Sequence, residues 1–276
     1  MTVTEINGNI QIEGLKNLSL SETLDCGQAF RWQEITDNIW HGVAFGKYLE
    51  IGFNDGVFTL YDTSLDDFNS LWENYFDLRR DYGKIITEIS ADKTLKKASS
   101  FAEGIRILNQ EPWEALCSFI ISQNNNIPRI KGIIDRLCEN FGERLDGGFY
   151  AFPTAEKIAS LTLDDLAVLR SGFRAKYILD AARKVSSGEI DLIALKDIDT
   201  ACARAELMKI YGVGEKVADC ALLFGLGHID AFPKDVWIKR AMVKLFDGEL
   251  PECALPFAGI AQQYIFHYAR ITKLEI

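Results

Sequence analysis

Residues 28–61, QAFRWQEITDNIWHGVAFGKYLEIGFNDGVFTLY, alternate apolar and polar side chains in short runs that break at TDN, FGK and NDG. A period of two with turn residues at each break predicts half-buried strands joined as an antiparallel meander, NDG being a hairpin-type turn. From Ser64 the period lengthens. SLDDFNSLWENYF opens with a Ser-x-x-Asp cap pattern and continues at helical spacing. In NIPRIKGIIDRLCENFG, Ile127, Ile130, Ile133, Ile134, Leu137 and Phe141 form one apolar stripe, with Pro128 early and Gly142 at the stop. PTAEKIASL, TLDDLAVLRSG, FRAKYILDAARKVSSG, DTACARAELMKI and GEKVADCALLFGLG carry similar start and stop signals. The pattern predicts an α+β chain: an N-terminal antiparallel β-sheet domain with flanking helices over residues 1–105, then an all-α region over 106–276 that is helical to its end.

Composition narrows the function classes. At 276 residues and 48% hydrophobic, the chain can bury a substantial core as one large domain or two to three small ones. Its six cysteines are scattered without a Cys-x-x-Cys pair, and its three histidines share no ligand spacing, which argues against a zinc site, a disulfide framework and a histidine-rich metal hydrolase. No basic-then-apolar leader opens the chain and no run reaches the length of a membrane span. The expectation is a protein of the cytoplasm, at the nucleoid if the host is bacterial, with no membrane partner.

A net charge of -10 speaks against broad nucleic-acid binding, because counterion release needs cations facing phosphates. Distribution changes that picture: RIKGIIDR (129–136), FRAKYILDAARK (173–184) and KDVWIKR (234–240) concentrate cations locally. Each segment alone also fits a solvated helix face.

Candidate chemistry gathers near residue 211. KIYGVGEK joins two helices through Gly212 and Gly214, and such a hairpin can point backbone N–H groups and a helix N-terminus at a phosphate. Two glycines alone describe a plain turn equally well. Lys216 falls in the first turn of the second helix, where the helix dipole and partial burial both lower an ammonium pKa and favour an amine nucleophile. A single lysine is more often an ordinary exposed one. Asp235, two residues after Pro233, starts another helix, where a carboxylate can cap and also face a neighbouring helix mouth.

GVGEKVADC and AFPKDVWIKR together resemble the helix-hairpin-helix, Gly/Pro-rich loop and aspartate of the base-excision DNA glycosylases, specifically the 8-oxoguanine DNA glycosylase/AP lyases. The resemblance covers nearly the whole chain: LDCGQAFRW (24–32), SFIISQNNNIPRIKGIIDRLCENFG (118–142), SGFRAKYILDAA (171–182) and AGIAQQYIFHYAR (258–270) are similar, in order, to further segments of that family. It implies a helix-hairpin-helix glycosylase region with a DNA-binding cleft. Lys216 would attack C1′ of the damaged nucleoside and hold it as a Schiff base through β-elimination, with Asp235 as the accompanying carboxylate. The Gly27 carbonyl would accept the N7–H that 8-oxoguanine carries and guanine lacks. Cys220 and Phe266 would sandwich the flipped base and Gln262 would read its Watson–Crick edge.

On the opposite strand the resemblance gives Asn124, Arg129 and Arg174 to the estranged cytosine and Phe173 to the wedge. It also implies a monomer acting on damaged double-stranded DNA, catalysis without a cofactor, and a structural cation on the carbonyls of Met208, Ile210 and Val213. Three positions depart from the family's familiar eukaryotic pattern: Tyr211 stands for a proline before the hairpin, Trp237 for a histidine, and Phe173 lacks a tyrosine hydroxyl. The rival readings are a monofunctional alkylbase or mismatch glycosylase, which keeps Asp235 without needing Lys216, and a non-catalytic helix-hairpin-helix DNA-binding protein. The lack of a clustered four-cysteine iron–sulfur motif after the hairpin argues against the endonuclease-like and adenine-specific branches.

Overall fold

The structure is a computed structural model that describes residues 1–274. Strands β1 (Thr2–Ile6), β2 (Asn9–Glu13), β3 (Trp32–Thr36), β4 (Ile39–Ala44), β5 (Lys47–Asn54) and β6 (Val57–Leu60) form one antiparallel sheet in the order β1-β2-β6-β5-β4-β3. β3 to β6 are the meander expected from alternation, with turns at TDN, FGK and NDG. The first two strands lie outside that expectation. They turn through Asn7 and Gly8 at φ of 52° and 77°, the pair of positive angles that a two-residue hairpin needs. Ile10, Ile12, Ile51, Phe58 and Leu60 are fully buried on one face of the sheet, and Trp72 and Phe76 belong to the same core.

Helix α1 (Leu20–Leu24) precedes β3. After the sheet, Ser64 caps α2 (Leu65–Asp67) by accepting from Asp67 N–H, and a π-helical turn at Phe68–Trp72 leads into α3 (Glu73–Tyr75). α4 (Tyr82–Ile89) and α5 (Lys93–Phe101) follow. The chain continues through α6 (Pro112–Ser122), α7 (Ile127–Phe141), α8 (Ala155–Ala159), α9 (Arg174–Ser186), α10 (Thr200–Leu207), α11 (Glu215–Gly225), α12 (Val236–Leu245) and α13 (Ala258–Thr272). TLDDLAVLRSG is not an α-helix: it forms a 3-10 turn at Asp165–Leu169 that stops at Arg170 in the left-handed region, φ 54°. The segment is too short between its Thr162–Asp165 turn and that stop to propagate an α-helix.

Two apolar cores hold the molecule. One lies beneath the sheet and runs from Ile10 to Leu78 with Leu108, and the other takes the helices from Tyr82 onward together with Phe30. Residues Pro112–Ile121 of α6 are all buried, so this helix is the central post against which α7, α9 and α11 pack. The irregular segment at residues 102–111, between the two cores, is pinned by polar side chains. Buried Arg106 donates to the carbonyls of Lys16, Asn17 and Asp77, and buried Gln28 bonds Thr23 O, Arg106 O and Leu108 N–H. These bonds fix the 23–31 segment against the helical core, which is where Gly27 must sit.

Candidate active site

α10, the turn at 208–214 and α11 form the expected helix-hairpin-helix. Gly212 has φ 81°, and a Cβ there would lie 2.5 Å from the Tyr177 ring, so both backbone conformation and packing call for glycine. Gly214 is the N-cap of α11 and is open on its outer side, where a Cβ would meet nothing within 4 Å. Val213 N–H donates to Ile210 O at 3.0 Å, so the Ile210 carbonyl already carries one bond. Among the described residues no group of three or more His, Cys, Asp and Glu is arranged for a metal ion.

Lys216 lies in the first turn of α11, half-buried. Its ammonium donates to Ser122 Oγ at 3.2 Å and sits 5.3 Å from the centre of the Phe119 ring, both at the C-terminal end of α6. One turn further along α11, Cys220 is buried and its thiol is pushed up to about 11 by that burial, with the Lys216 charge opposing. The thiol therefore stays protonated at neutral pH and presents a neutral, polarisable surface beside the amine.

Asp235 is the N-cap of α12, accepting from Ile238 N–H at 2.8 Å. Burial raises its carboxyl above the usual range, while the Ile238 N–H and the Lys216 charge pull it back. The Lys216 charge favours the ionised form of both the Cys220 thiol and the Asp235 carboxyl. Sequence reasoning had the lysine and the carboxylate but not Ser122. Nothing local marks that serine, whose role depends on α6 packing on α11.

α13 supplies the adjoining wall. Gln262 is buried, donates from Nε2 to Pro233 O at 3.3 Å just ahead of Asp235, and leaves Oε1 buried without a partner. An unpaired buried acceptor costs about 1–3 kcal/mol, so this atom is one that a ligand donor would satisfy. Gln263 next to it donates to Cys26 O at 3.1 Å, and Arg270 donates to Asp25 O at 3.0 Å. Gly27, at φ 86°, follows directly, and among the described residues none donates to its carbonyl. A Cβ on Gly27 would come within 3.6 Å of the Phe266 ring, so the glycine and the phenylalanine face each other across a narrow gap.

The opposite-strand candidates gather at a second edge. Asn124 is exposed in the left-handed region at φ 46°, which asparagine tolerates, and Arg129 is exposed in the first turn of α7. Phe173 is 47% exposed immediately before α9, as a wedge must be. Arg174 also makes bonds within the protein that the resemblance does not imply. It is buried, and its guanidinium donates to the carbonyls of Gln123, Asn124 and Ser171, leaving one Nη1 proton uncommitted. Burial and the neighbouring Arg129 charge both lower its pKa from the ordinary arginine value. In this structure Arg174 holds the Asn124 loop in shape, and Asn124 and Arg129 form the exposed tip.

Comparison with known proteins bears directly on this site. A profile described as "8-oxoguanine DNA glycosylase, N-terminal domain" matches residues 11–116, and one described as "HhH-GPD superfamily base excision DNA repair protein" matches residues 117–249. The crystal structure of Clostridium acetobutylicum 8-oxoguanine glycosylase/lyase, in complex with duplex DNA containing cytosine opposite 8-oxoguanine, superposes with a TM-score of 0.93 at 38% identity over 99% of both chains. The chain belongs to the 8-oxoguanine DNA glycosylase/lyase family. The family's N-glycosylase/DNA lyase of Saccharomyces cerevisiae is 42% identical over 168 residues, 55% of this chain and 44% of that one. That of Arabidopsis thaliana is 30% identical over 243 residues, 80% of this chain and 64% of that one. The chain thus spans less than two thirds of the length of either curated relative. The family places the hairpin, the sheet and the helical core of this chain in one bifunctional glycosylase/lyase architecture.

Proposed function

We propose that this protein excises 8-oxoguanine opposite cytosine from duplex DNA and cleaves the strand at the resulting site, acting as a monomer. The observation that carries the reading is the buried, unpaired acceptor Gln262 Oε1, on a side chain whose Nε2 donates to Pro233 O two residues before Asp235, together with the Gly27 carbonyl, which accepts from no described residue. A base turned out of the stack offers donors to both: N1–H or N2–H to Gln262 and, for 8-oxoguanine alone, N7–H to Gly27. Cys220 and Phe266 would stack on the two faces of such a base.

Lys216 Nζ attacks C1′ as the C1′–N9 bond breaks with its electron pair leaving on the base, and a proton passes from Nζ to the departing base. The sugar opens to a Schiff base on Nζ. Loss of a C2′ proton then expels the 3′ phosphate, and water returns the free amine. Asp235, fixed by its capping bond, stabilises positive charge as it develops on the sugar. Asn124 and Arg129 meet the estranged cytosine, Phe173 fills the gap left by the flipped nucleotide, and the amides near Gly212 and Gly214 grip a phosphate. A cation on the carbonyls of Met208, Ile210 and Val213 belongs to the same reading and would stiffen that grip.

Single-turnover base release from duplexes carrying 8-oxoguanine opposite each normal base, beside an unmodified control, tests the proposal. The expected order has cytosine fastest by at least tenfold and no guanine release. Preferred release of an alkylated base, with 8-oxoguanine untouched, would transfer the site to the monofunctional reading.

A further inference from the structure

The side chains of α9 that face the hairpin form one stripe. Phe173, Tyr177, Asp180 and Lys184 recur at intervals of four, three and four residues, the spacing of a single helix face. Each of the last three touches the 209–212 turn. The Tyr177 ring occupies the space where a Gly212 Cβ would stand and meets the Tyr211 ring edge-on at 5.1 Å. Asp180 Oδ2 accepts the Tyr211 N–H at 2.7 Å, and Lys184 Nζ donates to Lys209 O at 3.0 Å. In the other direction Tyr177 meets Phe173 edge-on at 5.6 Å. The aromatic chain Phe173–Tyr177–Tyr211 therefore runs unbroken from the exposed wedge to the hairpin.

We propose that Tyr177 is a positioning residue that locks the wedge to the hairpin, so that gripping the backbone and extruding the base occur as one movement of a rigid unit. This inference rests on the functional reading above. Its basis is mechanical. Phe173 and Tyr211 are 47% and 55% exposed; Arg174 lies 4.5 Å from the centre of the Phe173 ring and Lys176 donates to Tyr211 Oη at 3.3 Å, but Tyr177 is the ring that touches both aromatics. Asp180 supports the same link through the backbone rather than through a ring. A wedge that can swing independently of the hairpin would lose its aim at the gap, and small misplacements of a positioning group carry large rate penalties. Tyr211 stands where the family's familiar pattern has proline, and it is this tyrosine that lengthens the aromatic chain to the hairpin's tip.

The test separates wedge positioning from the lysine chemistry. Base release from an 8-oxoguanine:cytosine duplex needs extrusion, whereas borohydride trapping on a single-stranded oligonucleotide with a preformed abasic site needs only Lys216. Tyr177→Leu is expected to slow duplex release at least tenfold while trapping on the single strand stays within about twofold of wild type. Tyr177→Phe, which keeps the ring, is expected to restore duplex release. Should Tyr177→Leu fail to fold, Asp180→Ala on the half-exposed side of the helix is expected to slow duplex release about threefold with trapping unchanged. Unaltered duplex release in the folded variant, or a parallel loss in both assays, would overturn the positioning role. A wild-type protein that releases no 8-oxoguanine would instead refute the functional reading on which the inference stands.

Discussion

Asp235 does two things with one carboxylate: it closes the first turn of α12 through Ile238 N–H, and its charge is favoured by that of Lys216. Because burial lifts its folded-state pKa above the unfolded value, the ionised form opposes folding. Its favourable contribution is complete below the unfolded pKa of about 3.9 and is lost as pH rises through the folded value. Asparagine caps a helix as well as aspartate does. Asp235→Asn is therefore expected to be at least as stable as wild type at pH 7, by thermal melts, with any gap closing below pH 4. In the same variant base release is expected to fall by about 100-fold or more, since the charge facing the sugar is gone. In wild type the acid limb of the rate profile should lie above the pH at which an ordinary carboxylate titrates. A variant both unstable and active would invert this account. Lys216 and Asp235 were legible from the chain because their chemistry is tied to local punctuation, a hairpin and a Pro-x-Asp start. Ser122 was not, because its meaning comes only from which helix α6 touches.

Arg174, a side chain that the resemblance assigns to the estranged cytosine, also ties two elements of the protein together. Its guanidinium ties the start of α9 to the carbonyls that end α6, at Gln123 and Asn124. Arg174→Ala removes the charged donor from those carbonyls, half-buried at Gln123 and exposed at Asn124, and is expected to cost about 1–2 kcal/mol, read by denaturant unfolding, with Arg174→Lys recovering only part because lysine lacks the planar fork. A loss below about 0.5 kcal/mol would mean that water replaces the guanidinium without penalty. Element legibility followed the strength of periodicity. α7 and α9 carry long apolar stripes and sit where expected, with Asn126 capping the former. β1 and β2 went unread despite the Asn7–Gly8 turn, because the exposed Thr2–Ile6 strand has little apolar alternation of its own. The 165–169 segment carried helical start signals, but the left-handed Arg170 ended it before an α-turn could be repeated.

At the scale of the molecule, the proposed DNA binding by a chain of net charge -10 has to come from local geometry rather than from total charge. The cations on which the proposal draws are those of α7, α9 and α12, such as Arg129, Lys176 and Lys239, enough to neutralise a few phosphates. The logarithm of duplex affinity is accordingly expected to fall against the logarithm of salt with a modest slope, about -0.9 for each phosphate engaged and about -2 to -4 in all. A slope near -8 would require a much broader basic footprint than these helices provide. The alternating and helical periods gave the two-part architecture from sequence. The meeting of Gly27, Cys220, Asp235 and Gln262 could not be read that way, because four separate elements bring them together through two packed cores.

The central claim is that Lys216 forms a covalent bond to the sugar, and borohydride trapping on a duplex with one 8-oxoguanine opposite cytosine tests it most directly. Wild type is predicted to give a covalent protein–DNA adduct and Lys216→Gln none, although the variant still binds the duplex. Base release by wild type without any trapped adduct, or an adduct that persists in Lys216→Gln, would contradict the account.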